Sequence, residues 1–240
     1  MTIKNNRLGF IVPAINVVAE DDFITLAAAD VGVHFARADV DTSREISAQF
    51  DQMIDAAPAL ARSLAKAGVS VVAFACTSAS FFRGEGSDRT IANAMTAAAA
   101  IPTLTTATAA VNALQAVGAR RIAIATPYLS WVYEAEQAFF SSAGFEVVAV
   151  NGLERRGGSD INTIPDEAIR SLVKDVDRAE ADALFVSCTD LPVLGLIDEL
   201  EATHGKPVVT SNQATFWACA KIANIASVDG YGILLRKHLQ

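Results

Sequence analysis

The sequence predicts an α/β protein of two pseudo-symmetric domains, each a doubly wound parallel sheet, with the active site in the cleft between them. Three observations predict it. Short, continuous apolar runs alternate with helix-periodic segments along the chain, as expected of βαβ units whose strands are buried on both faces. A strand-Pro segment, a strand-Cys-Thr segment and a Pro-strand-Thr segment each occur twice, in the same order, as after an internal duplication. The offsets agree: Cys188 follows Cys76 by 112 residues, and Pro207 follows Pro102 by 105.

Leu8 to Val12 is the first apolar run, and Pro13 ends it as a buried parallel strand. The turn behind it carries Asn16, a residue type suited to turns and caps, and Glu20-Asp21-Asp22, acids suited to a helix's first turn. Val31 to Val40 alternates apolar and polar residues and predicts a second strand. Gln49 to Ala67 predicts a helix with Met53, Ile54, Ala57, Leu60, Ala61 and Leu64 on one face, closed by Gly68. Val69 to Ala75 predicts the strand that delivers Cys76. An alanine-rich helix over about Ser87 to Ala100, a short strand from Ile101 to Thr106 and a helix from Ala107 to Val117 complete the first round.

The second round begins at Arg121 to Tyr128, a strand with its own proline, Pro127. Helix Trp131 to Ala143, strand Phe145 to Val150, a polar loop from Asn151 to Asn162 and helix Pro165 to Ala179 follow. Ala183 to Ser187 predicts the strand that delivers Cys188, with a helix after it through His204-Gly205. Lys206 to Ser211 repeats the Pro-strand-Thr segment, and Asn212-Gln213 opens the helix that carries Cys219. Both sheets are therefore expected to be Rossmann-like. The predicted domains are 1–103 plus about 212–240, with the first cysteine loop, and 104–211, with the second.

The chain has 240 residues, enough for a sizeable core, and a net charge of −8. No basic stripe is present to replace counterions, which argues against nucleic acid. An anionic substrate is compatible with that charge, because backbone N–H groups and hydroxyls can bind a carboxylate inside an acidic protein. No uninterrupted apolar stretch reaches the length of a membrane span, and Leu8 to Val12 is too short for a signal-peptide core, so a cytoplasmic protein is expected. Three cysteines are not a disulfide framework, and none of His34, His204 and His238 is their neighbour, so no metal site is indicated.

Cys219 lies mid-helix and reads as a small core hydrophobe. Cys76 and Cys188 differ, because they occupy matching places at the carboxyl ends of strands, where open α/β sheets bind ligands. Each is expected at a helix-starting turn, whose free N–H groups favour thiolate and bound carboxylate alike. A pseudo-two-fold axis would bring the two loops together across a small acid. One sulfur, as thiolate, would then attack a carbon beside the carboxylate or remove its proton, and the other, as thiol, would donate a proton from the opposite face. Thr77, Ser78, Thr189 and Tyr128 are the natural donors for the carboxylate whose charge grows in the transition state. The spacing leaves open whether Phe81, Phe82 and Trp131 line the pocket or pack.

Over nearly its whole length the chain resembles the aspartate/glutamate racemase superfamily, and within it the maleate cis-trans isomerase and arylmalonate decarboxylase branch. The resemblance rests on Ile11-Val12-Pro13 with Asn16, Cys76-Thr77-Ser78, Thr126-Pro127-Tyr128, Ser187-Cys188-Thr189 and Lys206-Pro207-Val208-Val209. It implies cofactor-independent catalysis, with Cys76 adding to the double bond of maleate and Cys188 handling the proton on the opposite side. It likewise implies carboxylate binding by Asn16 and Tyr128, and oxyanion loops at Thr77, Ser78 and Thr189. Ser80-Phe81-Phe82-Arg83-Gly84 and Phe216-Trp217 look more like the decarboxylases, which typically carry glycine where Cys76 stands. Gly157-Gly158-Ser159-Asp160 stands where the isomerases keep a second carboxylate-binding Asn. The expected function is a maleate-type isomerase on a small carboxylate. A decarboxylase or racemase of α-substituted acids, an ectoine-catabolism relative included, is the alternative, and a carboxylate-binding module the non-enzymatic one. A homo-oligomer is compatible with the sequence.

Overall fold

In the computed structural model, which describes residues 4, 6–225 and 230–239, the apolar runs of the first half pair into one parallel sheet. Residues 1–3, 5, 226–229 and 240, included in the predicted first domain, lie outside the described residues. The elements of this half are β1 (Asn6–Pro13), α1 (Val18–Leu26), β2 (Val31–Ala38), α2 (Ile46–Ala65), β3 (Val71–Phe74), α3 (Thr77–Phe81), α4 (Ser87–Ala99) and β4 (Thr103–Thr105). The strand order is β2-β1-β3-β4, with every pairing parallel.

The second half repeats the plan. It runs through α5 (Thr106–Ala116), β5 (Arg121–Tyr128), α6 (Ser130–Ser142), β6 (Glu146–Arg155), α7 (Ser159–Asn162), α8 (Asp166–Val176), β7 (Ala183–Val186), α9 (Ile197–His204) and β8 (Val208–Thr210). Its order, β6-β5-β7-β8, is the first sheet's order one round later. The chain ends in α10 (Ser211–Ile222) and α11 (Gly232–His238).

The sequence explains these elements. All four residues of β3 and of β7 are fully buried, which suits central parallel strands and accounts for their unbroken apolar runs. Helix α2 buries Phe50, Met53, Ile54, Ala57, Ala61 and Leu64, a stripe at helical spacing laid on β1 and β2. Each large side chain so buried contributes roughly 1.5–3 kcal/mol. Thr105 and Thr210 N-cap α5 and α10 in nearly the same backbone conformation, so the duplication reaches single-residue detail. These two helices pack on each other, with Thr106 Oγ1 and Thr215 Oγ1 2.9 Å apart. Helix α10 also lies against α1 and β3 of the first sheet, whereas α11 is tied to α9 through Asp198 and Glu201.

Two expectations are corrected. The polar stretch Asn151 to Asn162 is not all loop: β6 continues to Arg155, pairing with Tyr128 across two register shifts, and α7 follows. As the outermost strand, β6 exposes Asn151 and Glu154, so its polarity masks its pairing. No helix starts at Cys188. The chain turns, passes Pro192 and a single 3₁₀ turn at Leu194–Leu196, and only then enters α9. The proline disfavours helical backbone at Leu191 and delays the helix.

The edge strand also bears on the cleft. A Cβ on Gly152 would lie 2.6 Å from the Tyr128 carbonyl oxygen and 2.6 Å from the Tyr133 ring, inside any tolerable contact. Gly152→Ala is therefore expected to destabilise the protein by about 1–3 kcal/mol, lowering Tm by about 3–10 °C in a thermal melt.

Candidate active site

The carboxyl ends of the two central strands in each sheet open on one cavity. Pro13 ends β1 and Asn16 follows it, Cys76 follows β3, Leu129 follows β5, and Cys188, Thr189 and Asp190 follow β7; all line it. The space between these side chains is about 670 Å³, part of it open to solvent. Every residue singled out from the sequence borders it: Asn16, Cys76, Thr77, Ser78, Tyr128, Cys188 and Thr189. Phe81, Phe82 and Trp131 do not; Phe81 is buried against Phe139, and Phe82 and Trp131 pack on Phe50.

Both cysteines sit two residues beyond a strand, yet their backbones differ. Cys76 is extended and forms the N-cap position of α3, with its carbonyl held by the Ser80 hydroxyl at 2.6 Å. Cys188 has φ 103°, a left-handed conformation that a residue with a Cβ adopts only when its surroundings enforce it. They do so here: its N–H donates to Ser211 Oγ at 3.0 Å, and Ser211 Oγ also accepts from Thr77 Oγ1 at 2.9 Å. One hydroxyl at the start of α10 thus fastens both cysteine loops.

Two further bonds cross between the halves. Thr189 Oγ1 donates to the Ala75 carbonyl at 3.3 Å and accepts from Asn16 Nδ2 at 3.1 Å. Asn16 Oδ1 meanwhile accepts from the N–H groups of Val18 and Ala19 at the start of α1. With one Nδ2 hydrogen used by Thr189, the other is free for a ligand in the cavity. Asp190 takes the N–H of Val17 at 3.0 Å and the Asn162 carboxamide at 3.3 Å, and ties the Cys188 loop to α1 and α7.

Burial dominates the ionisation of the site. It pushes the Cys76 thiol up to about 11, against the opposing pull of the Ala79 N–H and the Ser78 hydroxyl. Cys188 is pushed further, by burial and by the Asp190 carboxylate, although the Asp190 N–H and the Tyr128 hydroxyl pull it down. Tyr128 is raised well above its ordinary value, by burial first and then by Cys188. Near neutral pH both sulfurs are thiols, and Cys76 is the easier to ionise.

Sequence reasoning missed three parts of the site. Ser211 reads as the end of the strand expected from Lys206, although its place after Thr210 matches Thr106 after Thr105. Asp190 stands beside Thr189 with no second copy of its residue type at the matching place, Ser78, to mark it. The wall of Val40, Ile46, Phe50 and Met53 carried no separable signal, because lining residues on α2 continue the stripe that packs its core.

A family model described as arylmalonate decarboxylase matches residues 8–235. The chain belongs to the arylmalonate decarboxylase family. It is 34% identical over 192 residues to the arylmalonate decarboxylase of Bordetella bronchiseptica, covering 77% of this chain and 79% of that one. Its fold is similar to the maleate cis-trans isomerase of Nocardia farcinica, solved as a cysteine-to-serine mutant with a covalently bound succinylcysteine intermediate. There the TM-score is 0.91 at 26% identity, over 97% of this chain and 98% of the other. A cysteine-to-alanine mutant of the Pseudomonas putida S16 maleate isomerase, solved with maleate, gives 0.90 at 26%, over 96% and 97%. Among the described residues of this family member, no group of three or more His, Cys, Asp or Glu side chains could hold a metal ion. No helix among them is long and apolar enough to cross a membrane.

Behind the Cys188 loop of this arylmalonate decarboxylase relative lies a buried acid. Glu136 on α6 is fully buried, accepts from Ser187 Oγ at 2.5 Å and leaves Oε2 without a hydrogen-bond partner. Burial raises its carboxyl to about 8, so at neutral pH it is an uncharged acid. The folded state then keeps a proton that the unfolded chain releases above about pH 4.5. Stability from this group is complete below that pH, declines as pH rises, and is lost beyond about 8. Glu136→Gln, which has no proton to lose, should flatten that decline. Urea unfolding of both proteins at pH 5, 6.5 and 8.5 should show the variant gaining on the wild type by roughly 3–5 kcal/mol across the series.

Proposed function

We propose that the protein is a cis-trans isomerase of maleate type, with Cys76 as nucleophile and Cys188 as proton donor and acceptor. The observation that carries this reading is the pair of thiols bordering one cavity, from two loops bonded to the same serine. Burial raises the two thiols unequally, and the roles we propose follow that order. Cys76, the less strongly raised, supplies the thiolate; Cys188, raised further, remains the acid.

The Cys76 thiolate adds to one alkene carbon, and the neighbouring carbon takes the proton of the Cys188 thiol. A succinyl thioether and a Cys188 thiolate result. Rotation about the new single bond turns the two carboxylates apart. The Cys188 thiolate then removes the proton, the C–S bond breaks, and fumarate leaves with the Cys76 thiolate restored. Between these steps negative charge collects on the adjacent carboxylate, where Asn16, Thr77, Ser78, Tyr128 and Thr189 are our candidates to bind it. Nucleophile, acid and anion donors all come from the chain, so the reaction needs no cofactor. Three free cysteines suit a reducing compartment, and the cytoplasm is our assignment. The division into lobes 1–103 with about 212–240, and 104–211, belongs to the same proposal; the packing of α10 on α1 and β3 supports it.

A second reading, decarboxylation of an α-substituted malonate, is favoured by the match to the decarboxylase family and by the apolar wall at Phe50 and Met53, which would seat an aryl group. Incubation with maleate, followed by proton NMR, is expected to give fumarate; release of CO₂ from phenylmalonate with no turnover of maleate would establish the second reading instead. Cys76→Ser and Cys188→Ser should each lower kcat/KM for maleate by about 10³-fold or more. Because the thiolate must form against the burial of Cys76, wild-type kcat/KM should rise by about tenfold per pH unit between pH 7 and 9.5.

A further inference from the structure

The cavity has two chemically different ends. At the inner end are the sulfurs of Cys76 and Cys188 with the hydroxyls beside them. At the outer end is a vestibule that includes Thr42, Arg44, Arg156 and Ser159. Ile46, Gln49, Arg156 and the two glycines after it border both spaces, so one leads into the other.

Between the ends runs one face of α2. Ile46, Phe50 and Met53 stand four and three residues apart along it, and each borders the cavity. Met53 and Phe50 belong to the same apolar cluster as Cys76, whereas Ile46 also borders the vestibule. From Ile46 to Met53 the helix rises about 10 Å. The two carboxylates of a four-carbon diacid cannot span that wall.

The outer end is cationic in a protein of net charge −8. The Arg156 guanidinium forms no ion pair or hydrogen bond with any described residue; only its backbone N–H is engaged, by Asp160 Oδ2 at 2.9 Å. Arg155 beside it pairs with Asp160 at 3.3 Å, whereas Arg44, the other arginine of the vestibule, likewise forms no ion pair or side-chain hydrogen bond with any described residue and adds to the positive charge there. Gly157 and Gly158, at φ 138° and 57°, turn the chain directly after Arg156 in conformations that favour glycine. An unpaired guanidinium at the mouth of a low-dielectric cleft is suited to an anion.

We propose that Arg156 forms a second anion subsite, and that the substrate of this protein is a carboxylate with an apolar arm, longer than that of maleate, ending in another anionic group. The reacting carboxylate would lie at the cysteines, the arm along Ile46, Phe50 and Met53, and the terminal anion at Arg156. The proposal rests on the cysteine end being the reacting end.

Binding of saturated diacids, read by titration calorimetry without turnover, tests it. For the wild type, affinity is expected to rise by about tenfold or more from succinate to suberate, and suberate should bind more tightly than octanoate, which lacks the second charge. Arg156→Ala should remove the advantage of suberate over octanoate, and Arg156→Lys should keep part of it. Succinate binding as tightly as suberate would overturn the subsite, and so would an Arg156→Ala loss equal for octanoate and suberate. A flat series would leave the isomerase reading standing, and failure to isomerise maleate would leave the binding result standing.

Discussion

The cleft depends on one serine hydroxyl. Ser211 Oγ accepts one hydrogen bond from the Thr77 hydroxyl in the first cysteine loop and another from the Cys188 N–H in the second, and it is fully buried. A hydroxyl oxygen has two acceptor positions, and both are used. Without it, a threonine hydroxyl and a backbone N–H would be buried with no partner, at about 1–3 kcal/mol each. The left-handed backbone of Cys188 adds a cost of similar size, which those same bonds offset. The site is therefore rigid because the two halves meet there, and it is strained there for the same reason.

Burial acts on this site in opposite directions. Excluding water raises both thiols and Tyr128, which favours their neutral forms near pH 7. The same exclusion strengthens each N–H and O–H that faces a developing negative charge. Asp190 shows how delicate the balance is. Its N–H points at the Cys188 sulfur at 3.4 Å and favours a thiolate, while its carboxylate, bonded away toward α1 and α7, disfavours one. An anion at the cysteine end must be met by N–H and O–H donors, because the Asp190 carboxylate beside Cys188 opposes negative charge there.

Much of the fold was legible in the sequence because duplication writes each signal twice. Val69 to Ala75 alone is an apolar run; with Ala183 to Ser187 at the same place in a second round, it predicts a strand and a loop facing a cleft. The strand order shared by the two sheets is seen only in the structure. What failed to show were features set by tertiary context. The polar outer half of β6 reads as loop because an edge strand faces water. The helix expected at Cys188 is displaced by Pro192, which disfavours helical backbone at Leu191. Ser211 and the α2 wall were illegible for another reason: a buried serine and a cavity-facing Phe50 have the same local sequence as a cap and a core residue.

The departure from symmetry is what makes two thiols chemically useful. A perfect duplication would give both sulfurs the same environment and the same readiness to ionise, and neither would be predisposed to be base or acid. Here the chain after Cys76 turns at once into α3, so the Ser78 hydroxyl and the Ala79 N–H lie beside its sulfur. The chain after Cys188 cannot do so, and its turn instead brings a carboxylate, Asp190, into the same position along the chain that Ser78 occupies after Cys76. Both sulfurs meet donors, at Cys188 the Asp190 N–H and the Tyr128 hydroxyl, and the Asp190 carboxylate opposes a thiolate at either, second only to burial at Cys188 and last among the causes at Cys76. Serine in one repeat and aspartate in the other thus add to burial in making Cys188 the harder of the two to ionise. That separation is the physical requirement for passing a proton across the face of a substrate and back again.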